Sequence, residues 1–225
     1  MIACELNISK VVNFTSPQAL VLEQSYLMAT EQNTKLSDRI LAMPGMSGGK
    51  YRTLVNRLIE HTPNARYLEI GSWKGSTACS AMYGNTVTAT CIDNFTFGGF
   101  SKDDLVSNTN SVITDNINFT LLDGDFRQVD YNAIGKFNVY FYDGPHQEQD
   151  QYDGIVIAQP ALDDIFTLIV DDYNDPVVRQ GTARAIKDLN LTVQYSIEIT
   201  TINPTVTNEF SEWHFGYFMA ILKKN

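Results

Sequence analysis

Two short segments of this 225-residue chain concentrate groups able to do chemistry. One is Asp143-Gly144-Pro145-His146, directly after the apolar, β-rich run 137–142. The other is Asp171-Asp172-Tyr173, directly after the run 166–170. Both runs read as buried strands. As neighbours in a parallel sheet they would bring Asp143, Asp171 and Asp172 to one rim. Converging carboxylates without a local Lys or Arg repel one another unless they are protonated or hold a cation. Hard oxygen donors with room for water suit Mg2+, with Mn2+ close behind. His146 follows Asp143 by three residues, and a histidine titrates near neutrality, as a general base should. Structural duties are the alternative. The Asp pair could cap the helix start at Asp175-Pro176, and His146 could simply open a helix. A metal-free site using Asp143 and His146 is a further alternative.

A third segment supplies a ligand cradle. Ala65-Arg66-Tyr67-Leu68-Glu69-Ile70 reads as a buried strand, Gly71-Ser72-Trp73-Lys74-Gly75 as a tight turn, and residues 76–83 as a helix stopped at Gly84-Asn85. In doubly wound sheets the ligand lies outside the carboxyl end of such a strand. A dinucleotide fingerprint would place Gly two residues after Gly71 and again three later, but Trp73 and Ser76 stand there. Glu69 would repel a pyrophosphate and attract an ammonium. Asp93 ends the next strand, 86–92, roughly 20 residues after the turn, where such folds bind ribose hydroxyls. The plainer reading of Asp93 is a turn cap.

These groups need a sheet to hold them, and the rest of the chain provides one. Strands are expected over 86–92, 117–122, 137–142, 166–170, 191–200 and 213–222, besides 65–70. Helices are expected over 17–31, capped by Ser16, and over 50–61, 102–115, 145–158 and 177–189. In the helix 50–61, Leu54, Val55, Leu58 and Ile59 form an apolar stripe. Residues 1–45 read as a helical appendage before a single α/β domain, 46–225. The loop Phe95-Thr96-Phe97-Gly98-Gly99-Phe100 could wall a pocket or pack on the sheet; Trp213 and His214 lie where the loop 203–211 returns and could face substrate, core packing being the plainer reading of Trp213.

Composition narrows the partners. The chain is 44% hydrophobic and 19% charged, with a formal net charge of −10 and a pI near 4.6. Such a balance disfavours nucleic acid and anionic membrane surfaces. No apolar run approaches a membrane span. Residues 1–7 lack a signal-peptide pattern, so a cytoplasmic location is expected. Cys4, Cys79 and Cys91 are scattered, with neither a disulfide framework nor zinc spacing.

The stretch Glu69-Ile70-Gly71 through Gly75-Ser76 resembles motif I of class I methyltransferases. The ordered strand-end residues Asp93, Asp125, Asp143, Asp171 and Asp172 extend the resemblance over residues 46–223. It is closest to metal-dependent catechol-type and antibiotic-tailoring O-methyltransferases, which carry one Asp after the fourth strand of that domain and an Asp pair after the fifth. The resemblance implies a doubly wound, Rossmann-like, seven-stranded α/β sheet. That sheet is mostly parallel, with an antiparallel C-terminal hairpin and helices on both faces. It implies S-adenosylmethionine, held by Met46, Ser47, Gly48, Glu69, Gly71, Ser72, Trp73, Gly75, Ser76, Asp93, Asn94, Asp125, Phe126 and Asp143. It implies Mg2+ or Mn2+ on Asp143, Asp171 and Asp172, with Asp143 and His146 catalytic and a small-molecule hydroxyl as acceptor. The appendage would cover the site or make a homodimer contact. Two departures stand out: Lys is commoner at the His146 position, and Leu162-Asp163-Asp164-Ile165 replaces a Gly-Gly turn. A metal-independent methyltransferase, a non-catalytic binding module and, less well supported, a nicotinamide-dependent oxidoreductase are the rival readings.

Overall fold

A computed structural model describes residues 6–12, 16–99, 102–201 and 213–225. Cys4, Phe100 and the expected loop 203–211 lie outside them. One mixed sheet runs through the molecule, built from β1 (Leu6–Val12), β2 (Arg66–Ile70), β3 (Val87–Asp93), β4 (Ile117–Asp123), β5 (Phe137–Tyr142), β6 (Leu162–Val170), β7 (Leu191–Thr201) and β8 (Tyr217–Lys224). Its order is β1-β7-β8-β6-β5-β2-β3-β4. Strands β2 to β6 pair in parallel, while β8 runs antiparallel to both β6 and β7. The expected seven-stranded arrangement is present, and β1 adds an eighth strand antiparallel to β7.

Helices cover both faces. On one side lie α1 (Pro17–Thr30), α2 (Asp38–Leu41), α3 (Gly49–His61) and α4 (Ser76–Met82), packed on Tyr67, Val139, Phe141 and Ile169. On the other lie α6 (Glu148–Ala158) and α7 (Pro176–Asp188), packed on Leu68, Tyr140, Leu168 and Ala220; α5 (Lys102–Asn110) precedes β4. Alternate residues of β5 feed opposite cores, so the strand is apolar almost throughout, as a doubly covered parallel strand must be. Caps set the helix starts. Ser16 Oγ accepts from Ala19 N in α1, and Asp175 Oδ1 accepts from Val177 N in α7, with Pro next in each case.

Several boundaries differ from expectation. Helix α6 begins at Glu148 because Gln147 is still extended; Pro145 therefore lies in the rim loop and not in the helix. Strand β6 starts at Leu162, which pairs with Phe137 across an irregularity in register, so the stretch 162–165 is strand and not turn. Strand β8 begins only at Tyr217, because Gly216 turns at φ +87°. Trp213 is buried and stacks on Tyr26 of α1, with centroids 5.8 Å apart.

Candidate active site

Register places the chemistry. Ile70 pairs with Tyr142, and Tyr142 with Val170. One residue further along each strand stand Gly71, Asp143 and Asp171, at a common level. Ile70 also pairs with Ile92, which brings Asp93 to the same rim. Backbone bonds hold that level, with Asp143 N on Ile70 O at 2.9 Å and Gly71 N on Ile92 O at 3.0 Å. Gly71 has φ +86°, and a Cβ there would stand 1.8 Å from the Asp143 carbonyl oxygen. Only glycine permits the two strand ends to approach this closely.

A cleft of about 410 Å³ opens over this rim. Of the residues expected to hold cofactor, Met46, Gly71, Trp73, Asp93, Asn94, Asp125, Phe126 and Asp143 line it, and so does His146. Ser47, Glu69, Ser72 and Ser76 are buried beside it, and Gly48 and Gly75 are the caps of α3 and α4. Asp93 is fixed by two backbone donors: Trp73 N on Oδ2 at 2.7 Å and Phe95 N on Oδ1 at 2.6 Å. Asp125 Oδ1 accepts from Arg127 N at 2.9 Å, while the Arg127 guanidinium lies over the Phe126 ring. Phe97, half of whose surface or more is open, meets Trp73 edge-on at 6.0 Å.

The acidic end is dense. Ligating atoms of Asp143, His146 and Asp172 lie within 4.8 Å of one another, as do those of Asp171, Asp172 and His214. His146 Nδ1 is 3.0 Å from Asp172 Oδ2, and its Nε2 is 3.4 Å from Asp143 Oδ1. Asp171 is buried and its Oδ1 accepts from Asp172 N at 2.7 Å. Asp172 itself takes φ +53°, an uncommon conformation for a non-glycine residue. Burial, then the charges of Asp172 and Glu69, push the Asp143 carboxyl well above its ordinary value, against a hydrogen bond with Asp171. Burial, then Asp143 and Asp172, push Asp171 the same way. Among the described residues no Lys or Arg pairs with any of these aspartates.

Glu69 adds to this charge from beneath the turn. It is 1% exposed, and its Oε2 accepts from Tyr67 Oη at 2.5 Å. Burial raises its carboxyl to about 7, although the Tyr67 and Ser72 hydroxyls pull it down. Two further phenols lie buried close to these acids. Tyr51 and Tyr217 stack at 3.9 Å, and among the described residues neither buried hydroxyl has a hydrogen-bond partner.

Sequence reasoning missed Tyr51, Tyr217 and Arg52, whose surroundings are structural facts. A signal for Arg52 existed: it lies three and seven residues before Val55 and Ile59, on the apolar stripe of α3. It is 1% exposed. Arg127, which lines the cleft, sits beside the expected Asp125 and Phe126 and carried no signal of its own.

The fold is the one shared by S-adenosylmethionine-dependent methyltransferases. An O-methyltransferase from Bacillus cereus, solved with S-adenosylhomocysteine, superposes with a TM-score of 0.55 at 14% identity, covering 93% of this chain and 94% of that one. The O-methyltransferase TomG from Streptomyces achromogenes, involved in tomaymycin synthesis and solved with S-adenosylmethionine, gives 0.52 at 16%, covering 90% and 89%. A candidate RNA methyltransferase from Pyrococcus horikoshii gives 0.54 at 13%, covering 91% and 98%. The chain spans about half the length of some larger neighbours. No protein-family model and no curated protein matches the sequence. Among the described residues no helix is long and apolar enough to cross a membrane.

Proposed function

We propose that this chain methylates a hydroxyl of a small molecule, using S-adenosylmethionine and a divalent ion. The carrying observation is the convergence of Asp143, Asp172 and His146, of which Asp143 and His146 line the cleft, with Asp171 hydrogen-bonded behind them. Asp143 and Asp171, held above their ordinary values by burial and then by neighbouring carboxylates, favour a cationic ligand. Their all-oxygen set suits Mg2+ or Mn2+. Neighbours that share the fold bind S-adenosylmethionine or S-adenosylhomocysteine, which supports the methyl donor.

In this reading Asp143, Asp171 and Asp172 would hold the ion, which supplies a lowered pKa to an acceptor hydroxyl. His146 stands between the ligands of the ion, its Nε2 in contact with Asp143 Oδ1 at 3.4 Å and its Nδ1 3.0 Å from Asp172 Oδ2, and in its neutral form one ring nitrogen would accept the acceptor's proton. S-adenosylmethionine, when bound, would supply the methyl group to that oxygen and would leave as the neutral thioether S-adenosylhomocysteine. Asp93, oriented by Trp73 N and Phe95 N, keeps lone pairs for vicinal ribose hydroxyls. Trp73, Phe126 and Phe97 wall the cleft against water and help align the reacting groups.

A candidate RNA methyltransferase has the same fold, so the fold leaves the acceptor open. The net charge of −10 and the absence of a basic footprint in the sequence favour a small molecule. Calorimetric titration with S-adenosylmethionine and S-adenosylhomocysteine, with and without Mg2+, tests the reading. Both should bind, and methyl transfer to a panel of hydroxylated small molecules should require the ion. Absence of binding by either nucleoside would overturn it.

A further inference from the structure

Two histidines address different oxygens of Asp172. His146 Nδ1 lies 3.0 Å from Oδ2, whereas His214 Nδ1 lies 4.0 Å from Oδ1. Ligating atoms of Asp171, Asp172 and His214 all fall within 4.8 Å of one another. Two donors each about 2.1 Å from one octahedral ion lie about 3.0 Å apart when adjacent and about 4.2 Å apart when opposite. The 4.0 Å between His214 Nδ1 and Asp172 Oδ1 falls within that span.

Backbone bonds hold His214 in this place. The turn 213–216 closes with Gly216 N on Trp213 O at 2.9 Å. Tyr173 N donates to Gly216 O at 3.2 Å and Asn174 N to Phe215 O at 2.9 Å, which ties that turn to the residues just after the Asp pair. Thr201 Oγ1 donates to His214 O at 3.1 Å. His214 and Asp172 both take a positive φ, +37° and +53°. Backbone strain of this kind persists only where the surroundings impose it, and it gathers at ligand clamps. Tyr217 gives an independent sign. Val170 pairs with Phe218, so the next residues toward the rim, Asp171 and Tyr217, stand opposite each other. The Tyr217 hydroxyl is buried and has no hydrogen-bond partner among the described residues. Burial, then the charge of Asp171, raises this phenol above its ordinary value. An orphaned buried hydroxyl beside a carboxylate is a group that an ion and its waters would satisfy.

We propose that His214 is a metal ligand, its Nδ1 adding one nitrogen to the oxygens of Asp171 and Asp172, so that the site prefers Mn2+ to Mg2+. Imidazole suits transition metals, whereas Mg2+ keeps to oxygen donors and retains its waters. His146, on the other oxygen of Asp172, stays available as the base. The proposal rests on the metal reading above. Its test is electron spin-echo spectroscopy of the Mn2+-loaded protein, which detects nitrogen bonded to the ion, beside calorimetric titration with Mn2+ and with Mg2+. The wild type should show a nitrogen coupling. His214→Asn, chosen because Asn tolerates a positive φ, should lose or reduce it, and His146→Ala should keep it. The preference for Mn2+ over Mg2+ should fall in His214→Asn by at least about tenfold, the least usually lost with a partner at a metal site. Should that variant fail to fold, the coupling in the wild type and its persistence in His146→Ala carry the test. A wild type without nitrogen coupling would overturn the proposal. So would loss of the coupling in His146→Ala, or a coupling or metal preference left unchanged in His214→Asn. A wild type that binds S-adenosylmethionine but neither ion refutes the metal reading itself, a separate result.

Discussion

The Nδ1 of His146 lies 3.0 Å from Oδ2 of Asp172, so one imidazole is tied to the second aspartate of a pair on a neighbouring strand. The tie joins the loop after β5 to the turn after β6. The other ring nitrogen, Nε2, lies 3.4 Å from Asp143 Oδ1, so the imidazole bridges the two strand ends. His146→Ala should lower kcat by about 10² to 10⁴, the usual worth of a positioned base, with little change in cofactor affinity. Single-turnover methyl transfer beside calorimetry checks this. A kcat within threefold of wild type would remove His146 from the chemistry.

Asp143→Asn should abolish turnover while cofactor affinity stays within a few fold. The carboxylate serves the ion and the acceptor, whereas the nucleoside has Asp93 and the Gly71 turn. Parallel loss of both affinity and turnover would contradict that division.

EDTA should silence methyl transfer and added Mg2+ should restore it. The same treatment should raise thermal stability on re-addition, because the ion offsets repulsion between Asp143, Asp171 and Asp172. Differential scanning in EDTA and in Mg2+ measures the second effect independently of any acceptor. Full activity in EDTA would take the ion out of the mechanism.

Glu69 should tilt stability against pH. An unfolded carboxyl releases its proton near 4.5, but the folded one holds it to about 7. Between those values the native state binds the extra proton, so its stability is fully present below 4.5 and is lost as pH rises to 7. The full swing is about 3 kcal/mol. Urea unfolding at pH 5 and pH 7.5 should show a smaller drop for Glu69→Gln than for wild type. Some drop remains, because Asp143 and Asp171 are raised in the same direction. An unchanged drop would mean that Glu69 is ionised in the native state.

Gly71→Ala should destabilise the fold and close the rim together. The added carbon meets backbone, not a movable side chain, at a positive φ. A loss above about 2 kcal/mol is expected, as for other strained glycine sites. A variant as stable as wild type would mean that the β2 and β5 ends can separate freely.

The order of strands was legible because each strand end carries a polar residue after an apolar run. Residues 66–70, 137–142 and 166–170 show it most clearly, and the aspartates that follow the last two meet at one rim as the pattern implies. Strand β1 was not legible. It is an edge strand whose partner, β7, lies far along the chain, and local pattern carries no record of such pairing. The start of α6 was misplaced because Pro145 suits a first helical turn equally well as a rim loop. Arg52 shows a different limit. A stripe of Leu and Val marks a buried face, but only the carbonyls of Ile40, Leu41 and Met43 explain how a guanidinium shares it.

The earliest strand in the chain, β1, docks by pairing Leu6 with Thr201 and Val12 with Tyr195. During synthesis those first residues therefore leave the ribosome long before their dock exists. Non-local pairing of this kind is intrinsically slow. The edge must wait, unpaired, until β7 has been made and laid beside β8; the sheet is sealed by its beginning, last of all.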